Sequence, residues 1–264
     1  MSRYIFDNAA VQTGQRFSSL ETLFDQWSIQ HLASTGIGEG WRCLEVGGGS
    51  GSLARWMAER VGPAGQVLVT DIDPRFLTSA VTEANIEVRE HNIVTDPLEP
   101  ASFDLIHERL VLIHLPEREM VLRKLVEALR PGGWLVVEEF DITLVDGRFA
   151  SRQPEMTASM EKMAAALTQL MAARGPKRDL GGSLFGLLND LGLAQVGAAG
   201  SFVIGSGGSA TTNLRRANYD QVRAESVAAG LIDDAEAERV LAYMDDPAFV
   251  MSSPTLVTAW GRRI

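Results

Sequence analysis

The residues most able to do chemistry are acidic side chains that end short apolar runs, together with one glycine-rich turn. The run Trp41 to Val46 carries Glu45 and passes directly into Gly47-Gly48-Gly49-Ser50-Gly51. Leu53, Trp56, Met57 and Val61 follow at helical spacing, so the stretch reads as strand, tight turn, helix. Glycine lets a ligand approach the main chain closely, and the start of the following helix offers unpaired N–H groups. About twenty residues further on, the run Val67 to Val69 leads to Asp71, placed to accept both hydroxyls of a ribose. The dinucleotide fingerprint needs glycine or alanine where this chain has Ser52, and no phosphate-loop lysine is present. The turn therefore suits a nucleoside-type ligand without a phosphate group to cradle. For proton transfer the sequence offers His114, and also His107, Glu139 and Asp141 near the ends of two later apolar runs; an imidazole titrates in the useful range. No Cys/His cluster or close carboxylate pair stands out, so no metal site is expected.

These residues need a framework of alternating strands and helices. Phe17, Leu20, Leu23, Phe24, Trp27 and Leu32 recur at three and four, which predicts an amphipathic helix stopped near Gly36. Strands are expected at 66–70, 86–89, 103–107, 134–137, 195–204 and 255–260, with Pro131-Gly132-Gly133 as a turn. Asp73 is placed to cap a helix opened by Pro74. Glu108 and Arg109 fall at the carboxyl end of the 103–107 strand, where open parallel sheets bind ligands; the plainer reading of Glu108 is a surface ion pair with Arg109 or Arg118. Met156, Met160, Met163, Leu167 and Leu170 form a helical stripe across 152–174, and Gly205-Ser206-Gly207-Gly208-Ser209 reads as a flexible joint before helices at 211–229 and 233–245.

Four motifs in order carry a family resemblance: Glu45-Val46-Gly47-Gly48-Gly49-Ser50-Gly51, Asp71-Ile72-Asp73-Pro74, Phe103-Asp104-Leu105-Ile106 and Leu129-Arg130-Pro131-Gly132-Gly133. Over residues 40–142 the chain resembles the class I S-adenosylmethionine-dependent methyltransferases, especially the ubiquinone/menaquinone-type and natural-product branch that acts on small molecules. The resemblance implies an α/β fold: a Rossmann-like, doubly wound, mostly parallel seven-stranded sheet with helices on both faces and a helical cap insertion. It implies one domain over 1–264, with an N-terminal lid segment at 1–36 and cap insertions at about 142–180 and 205–250. S-adenosyl-L-methionine becomes the expected cofactor and S-adenosyl-L-homocysteine the product. Glu45, Gly47, Gly49 and Gly51 then face its methionine part, Asp71 and Ile72 its ribose side, and Asn92 and Ile93 its adenine, with Glu108 close by. Tyr4 and Phe6 become lid residues; Phe140, Met160 and Met163 become candidates for the acceptor surface, and His114 for a base.

Bulk properties agree. The chain has 264 residues, net charge −10 and no basic stripe, which argues against a nucleic-acid partner. Its single cysteine, Cys43, excludes an internal disulfide and suits a reducing compartment. No apolar run reaches membrane-spanning length and the N-terminus lacks a signal-type apolar stretch, so a soluble, cytoplasmic protein without a membrane partner is expected. A small-molecule methyl acceptor is the expected partner, and a homodimer is compatible. Two other function classes use similar motifs: a nicotinamide-dependent oxidoreductase, disfavoured by Ser52 and by the lack of a Tyr-x-x-x-Lys pair, and a non-catalytic S-adenosylmethionine-binding protein.

Overall fold

The computed structural model describes residues 12–144, 149–150, 154–174 and 179–264. Tyr4 and Phe6 lie outside the described residues. The chain separates into two compact units: a sheet unit (Phe24–Asp141, Asp179–Ser201, Leu256–Ile264) and a helical unit drawn from Met1–Leu23, Ile142–Arg178 and Phe202–Thr255.

In the sheet unit, β1 (Arg42–Val46), β2 (Gln66–Asp71), β3 (Ile86–Glu90), β4 (Phe103–Arg109) and β5 (Leu129–Asp141) run parallel in the order β3-β2-β1-β4-β5. Strand β10 (Thr255–Arg262) follows β5, and β7 (Ala194–Ser201) closes the seven-stranded sheet antiparallel to β10. The central strands bury continuous apolar stretches (Cys43 and Leu44, Val67 to Val69, Leu105 and Ile106, Leu135 to Val137) because both sheet faces are covered. Helix α2 (Ser52–Val61) buries Leu53, Met57 and Val61 against one side of the sheet; α4 (Arg118–Ala128) buries Val121, Leu122 and Leu125 in the other cluster. The strand order reverses between β1 and β4, the kind of switch point at which α/β sheets bind ligands.

The expected turn at Pro131-Gly132-Gly133 is instead part of one long strand. Gly132 takes φ +84°, and its N–H donates to the Arg263 carbonyl at 2.8 Å while the Arg263 N–H donates to Gly133 at the same distance. The chain end thus supplies the ladder partners that a turn would have lacked. The strand expected at 195–204 also divides, because β7 stops at Ser201 and β8 (Ile204–Ser206) joins a different sheet. Asp73 is not the helix cap: its carboxylate takes the Arg75 guanidinium at 2.8 Å, and Pro74 occupies the cap of the short helix α3 (Arg75–Ala80).

The helical unit packs α5 (Pro154–Arg174), α7 (Ala210–Ala228) and α8 (Asp234–Tyr243) with a small antiparallel sheet ordered β6 (Phe149–Ala150), β9 (Val250–Ser252), β8. Met160 and Met163, expected at an acceptor surface, are completely buried in a cluster with Tyr219, Leu241 and Phe249. They pack into the core of this unit's own helices. The glycine-rich joint is no hinge either. Gly205 and Ser206 pair in β8, the Gly207 N–H donates to Phe249 at 2.9 Å, and the Gly208 N–H donates to Met244 at 3.0 Å. A Cβ on Gly207 would overlap the Asp246 carbonyl, so close backbone approach explains the glycine there. Among the described residues no helix is long and apolar enough to cross a membrane.

Candidate functional site

The acidic residues singled out in the sequence share the carboxyl edge of the parallel strands. Glu45 precedes the last residue of β1, Asp71 ends β2, Glu108 lies near the end of β4, and Glu138 and Glu139 lie near the end of β5. The turn after β1 is held by two bonds to one acceptor: the N–H groups of Gly47 and Gly48 both donate to the Thr70 carbonyl, at 2.7 and 3.2 Å. Gly47, Gly49 and Gly51 all take positive φ, at +71°, +56° and +86°. Gly51 occupies the cap position of α2, so the turn delivers the chain directly to a helix N-terminus.

Asp71 bends the chain that follows it, its Oδ1 accepting from the Asp73 N–H at 2.9 Å. Burial raises its carboxyl pKa, against the opposing pull of backbone N–H groups of Asp73 and Gly49. Beside it, Ile72 is 67% exposed, a large apolar side chain offered to solvent at a strand end. After β3 the loop is prebuilt. Asn92 Oδ1 accepts from the Val94 N–H at 3.0 Å, and the Asn92 N–H donates to Asp96 at 2.9 Å. Lys124 of α4 donates to the carbonyls of Ile93, Val94 and Asp96 at 2.7, 3.1 and 2.9 Å. One lone pair of Asn92 Oδ1 is therefore already engaged within the loop. Nothing in the sequence singles out Lys124.

The tertiary structure corrects two sequence readings of the acids. Glu108 is not in a surface ion pair: it is fully buried, and Arg109 pairs instead with Asp25 at 2.9 Å. A close carboxylate pair does exist, formed by Glu108 and Glu139. Glu108 accepts from the Val111 N–H at 3.1 Å and Glu139 from the Ile113 N–H at 3.0 Å, so the pair grips the 3₁₀ turn Leu112–His114. Burial pushes the Glu139 carboxyl up to about 8, and burial with the neighbouring Glu139 drives Glu108 well above the carboxylate range. At neutral pH the pair holds a proton. His114, half-buried, closes that turn. Asp141 caps the next helix, α6 (Leu180–Asp190), by accepting from the Gly182 N–H at 2.8 Å. Phe140 packs edge-on against Phe24 with ring centroids 5.7 Å apart.

His107 lies opposite Glu45 in the β1–β4 register. Its Nδ1 is 2.7 Å from Glu45 Oε2 and its Nε2 3.4 Å from Glu138 Oε2. Burial pulls the ring's pKa down, but the Glu45 charge and hydrogen bonds to Glu138 and Glu45 outweigh it and carry the ring to about 10. The bond to His107 and the nearby Arg109 charge in turn hold Glu138 below the usual carboxylate range, despite its burial. Register would have revealed the Glu45–His107 pair; sequence alone does not supply register.

Residues 44–137 match a protein family described as a methyltransferase domain. Over 113 residues the chain is 40% identical to Methyltransferase str2 of Strobilurus tenacellus, covering 42% of this chain and 39% of that protein. Over 121 residues it is 32% identical to the ubiquinone/menaquinone biosynthesis C-methyltransferase UbiE of Pseudoalteromonas translucida, covering 43% of this chain and 48% of that protein. The chain thus spans less than half the length of either curated relative. Among solved structures, Haemonchus contortus phosphoethanolamine N-methyltransferase 2, in complex with S-adenosyl-L-methionine, aligns with a TM-score of 0.61. That alignment covers 100% of this chain and 60% of the other at 14% identity, a likeness of fold.

Proposed function

We propose, from the premise that this chain carries a class I S-adenosylmethionine-dependent methyltransferase domain of the small-molecule branch, that it methylates a small organic acceptor by in-line displacement driven by positioning. The observation that carries the proposal is the convergence of Glu45, the glycine turn and Asp71 at the carboxyl edge of the parallel strands. The donor set fits the cofactor. Its amino-acid end carries an ammonium beside a carboxylate, its sulfonium is cationic and it bears no phosphate, so carboxylates and backbone groups suit it better than a basic cradle. Asp71 would accept from the ribose hydroxyls, with Ile72 against the nucleoside, and the 92–93 loop would meet the adenine edge. Glu45 and the turn at Gly47, Gly49 and Gly51 would hold the methionine part.

When bound, the cofactor supplies an electrophilic methyl group, so the protein's task is alignment; well-oriented groups reach effective molarities of ~10⁵ M or more. Glu108 and Glu139 hold the 3₁₀ turn that ends in His114. His114 is the candidate to take a proton from the acceptor when its nucleophile carries one. The helical unit lies outside the matched residues 44–137 and is the part assigned to acceptor selectivity. A secondary metabolite is the proposed acceptor, in the cytoplasm and without nucleic acid; a homodimer is compatible. Methyl transfer from labelled S-adenosylmethionine across phenols, amines and carboxylic acids, with and without chelator, tests the reading. Activity on a small acceptor that survives chelation is expected. Binding of NADH in preference to S-adenosylmethionine, or transfer only to protein or nucleic acid, would overturn it.

A further inference from the structure

His107 sits at the centre of a buried polar chain whose parts come from five elements. On one side its ring meets Glu45, one residue before the end of β1. On the other it meets Glu138 of β5, and both oxygens of Glu138 are occupied. Oε1 accepts from the Thr258 hydroxyl at 2.7 Å, and that hydroxyl accepts from the Trp27 ring N–H at 2.8 Å. Oε2 accepts from the Ser28 hydroxyl. Ser28 is itself held by Arg109 at 3.0 Å, which reaches Asp25 with its other arm. Helix α1 (Thr13–Ser34), β4, β5 and β10 therefore all bear on the orientation of one carboxylate, Glu138.

A buried carboxylate without a partner is strongly unfavourable, and a buried ion pair is favourable only when its geometry is fixed and its remaining lone pairs are satisfied. Glu138 meets that condition through two hydroxyls. Glu45 is 3% exposed and has His107 as its close cation. Glu138, fixed in place, lies behind the ring as a charge contact 3.4 Å from Nε2, while Nδ1 holds one oxygen of Glu45 at 2.7 Å beside the glycine turn.

We infer that His107 is the positioning residue for Glu45: braced by Glu138, it aims the carboxylate that receives the amino-acid end of the cofactor. The inference rests on the proposed role of Glu45 in cofactor binding. It separates a ligand-orienting pair from a merely stabilising one, because an orienting ring acts on affinity only through Glu45.

The test is calorimetric titration of the full chain with S-adenosylhomocysteine, with thermal unfolding of each variant as the control. H107Q keeps a polar side chain but loses the charge and the ring geometry. It should raise the Kd about tenfold or more, as expected on losing a charge-assisted hydrogen bond to the ligand-facing group. E45Q should do the same, and the double variant should be no weaker than E45Q within about twofold, the non-additivity expected of residues in one network. Nitrogen NMR should find the ring protonated in the wild type at mildly alkaline pH and less so in E45Q. If H107Q fails to fold, E138Q carries the test: it should weaken binding in the wild-type background and leave E45Q unaffected. Unchanged affinity in the folded H107Q, or losses that multiply in the double variant, would overturn the inference. A wild-type chain that binds no S-adenosylhomocysteine would instead overturn the cofactor reading itself, and the inference with it.

Discussion

Gly48→Ala is predicted to destabilise the sheet unit even though Gly48 lies outside the left-handed region that the other three turn glycines adopt. A Cβ at this position would overlap the Val69 Cγ1 methyl and lie 3.1 and 3.2 Å from the two Leu77 methyls. Carbon atoms rest comfortably at about 3.5–4.0 Å, so all three contacts are too short. Val69 and Leu77 are both fully buried, Val69 on β2 and Leu77 on α3, and neither can retreat into solvent. Forcing one extra carbon into a filled core costs about 1–3 kcal/mol. In a chain of this size that is a fall of roughly 2–12 °C in melting temperature. Val69→Ala removes the offending methyl and leaves a cavity, at about 2 kcal/mol by itself. In that background Gly48→Ala should cost less than about 1 kcal/mol, because the Leu77 methyls can rotate into the vacated space. Urea unfolding of the wild type, both single variants and the double variant measures the coupling. A Gly48→Ala penalty that is the same with and without the Val69 methyl would refute the steric reasoning.

Further predictions concern binding, pH and packing. Asp71→Ala should weaken S-adenosylmethionine binding by about 1.5–3 kcal/mol in a still-folded chain; unchanged affinity by calorimetry would remove Asp71 from the ribose role. Lys124→Met removes the donor to three carbonyls of the 93–96 loop and should raise the Kd for S-adenosylhomocysteine roughly tenfold, with hydrogen exchange rising in that loop. Glu139 titrates near 8 in the folded chain instead of its ordinary 4.5, so between those values the folded state keeps a proton that the unfolded chain releases. Stability from this group is full below about 4.5 and is lost as pH rises through 8; denaturant midpoints should fall across that window, and less steeply in Glu139→Gln. Gly207→Ala should unfold or loosen the helical unit because its Cβ has no space beside Asp246, and unaltered circular dichroism and melting would contradict that packing.

Elements with local signals are legible in the amino-acid sequence. Glu45 through Gly51 announced a strand, a turn and a helix because positive φ at Gly47, Gly49 and Gly51 and the helical spacing of Leu53, Met57 and Val61 are properties of neighbouring residues. The carboxyl ends of β1, β2 and β4 were legible for the same reason, and with them the residues proposed to hold the cofactor. The remaining features depend on which strands lie side by side and what fills the space between them. His107 acquires a partner because parallel register sets it opposite Glu45, and Glu108 and Glu139 become a proton-holding pair because β4 and β5 are neighbours. Met160 and Met163 read first as core and second as binding surface, since a helical stripe records that a face is apolar and not what covers it. Gly48 is confined by Val69, twenty-one residues away in sequence, a contact made by folding alone.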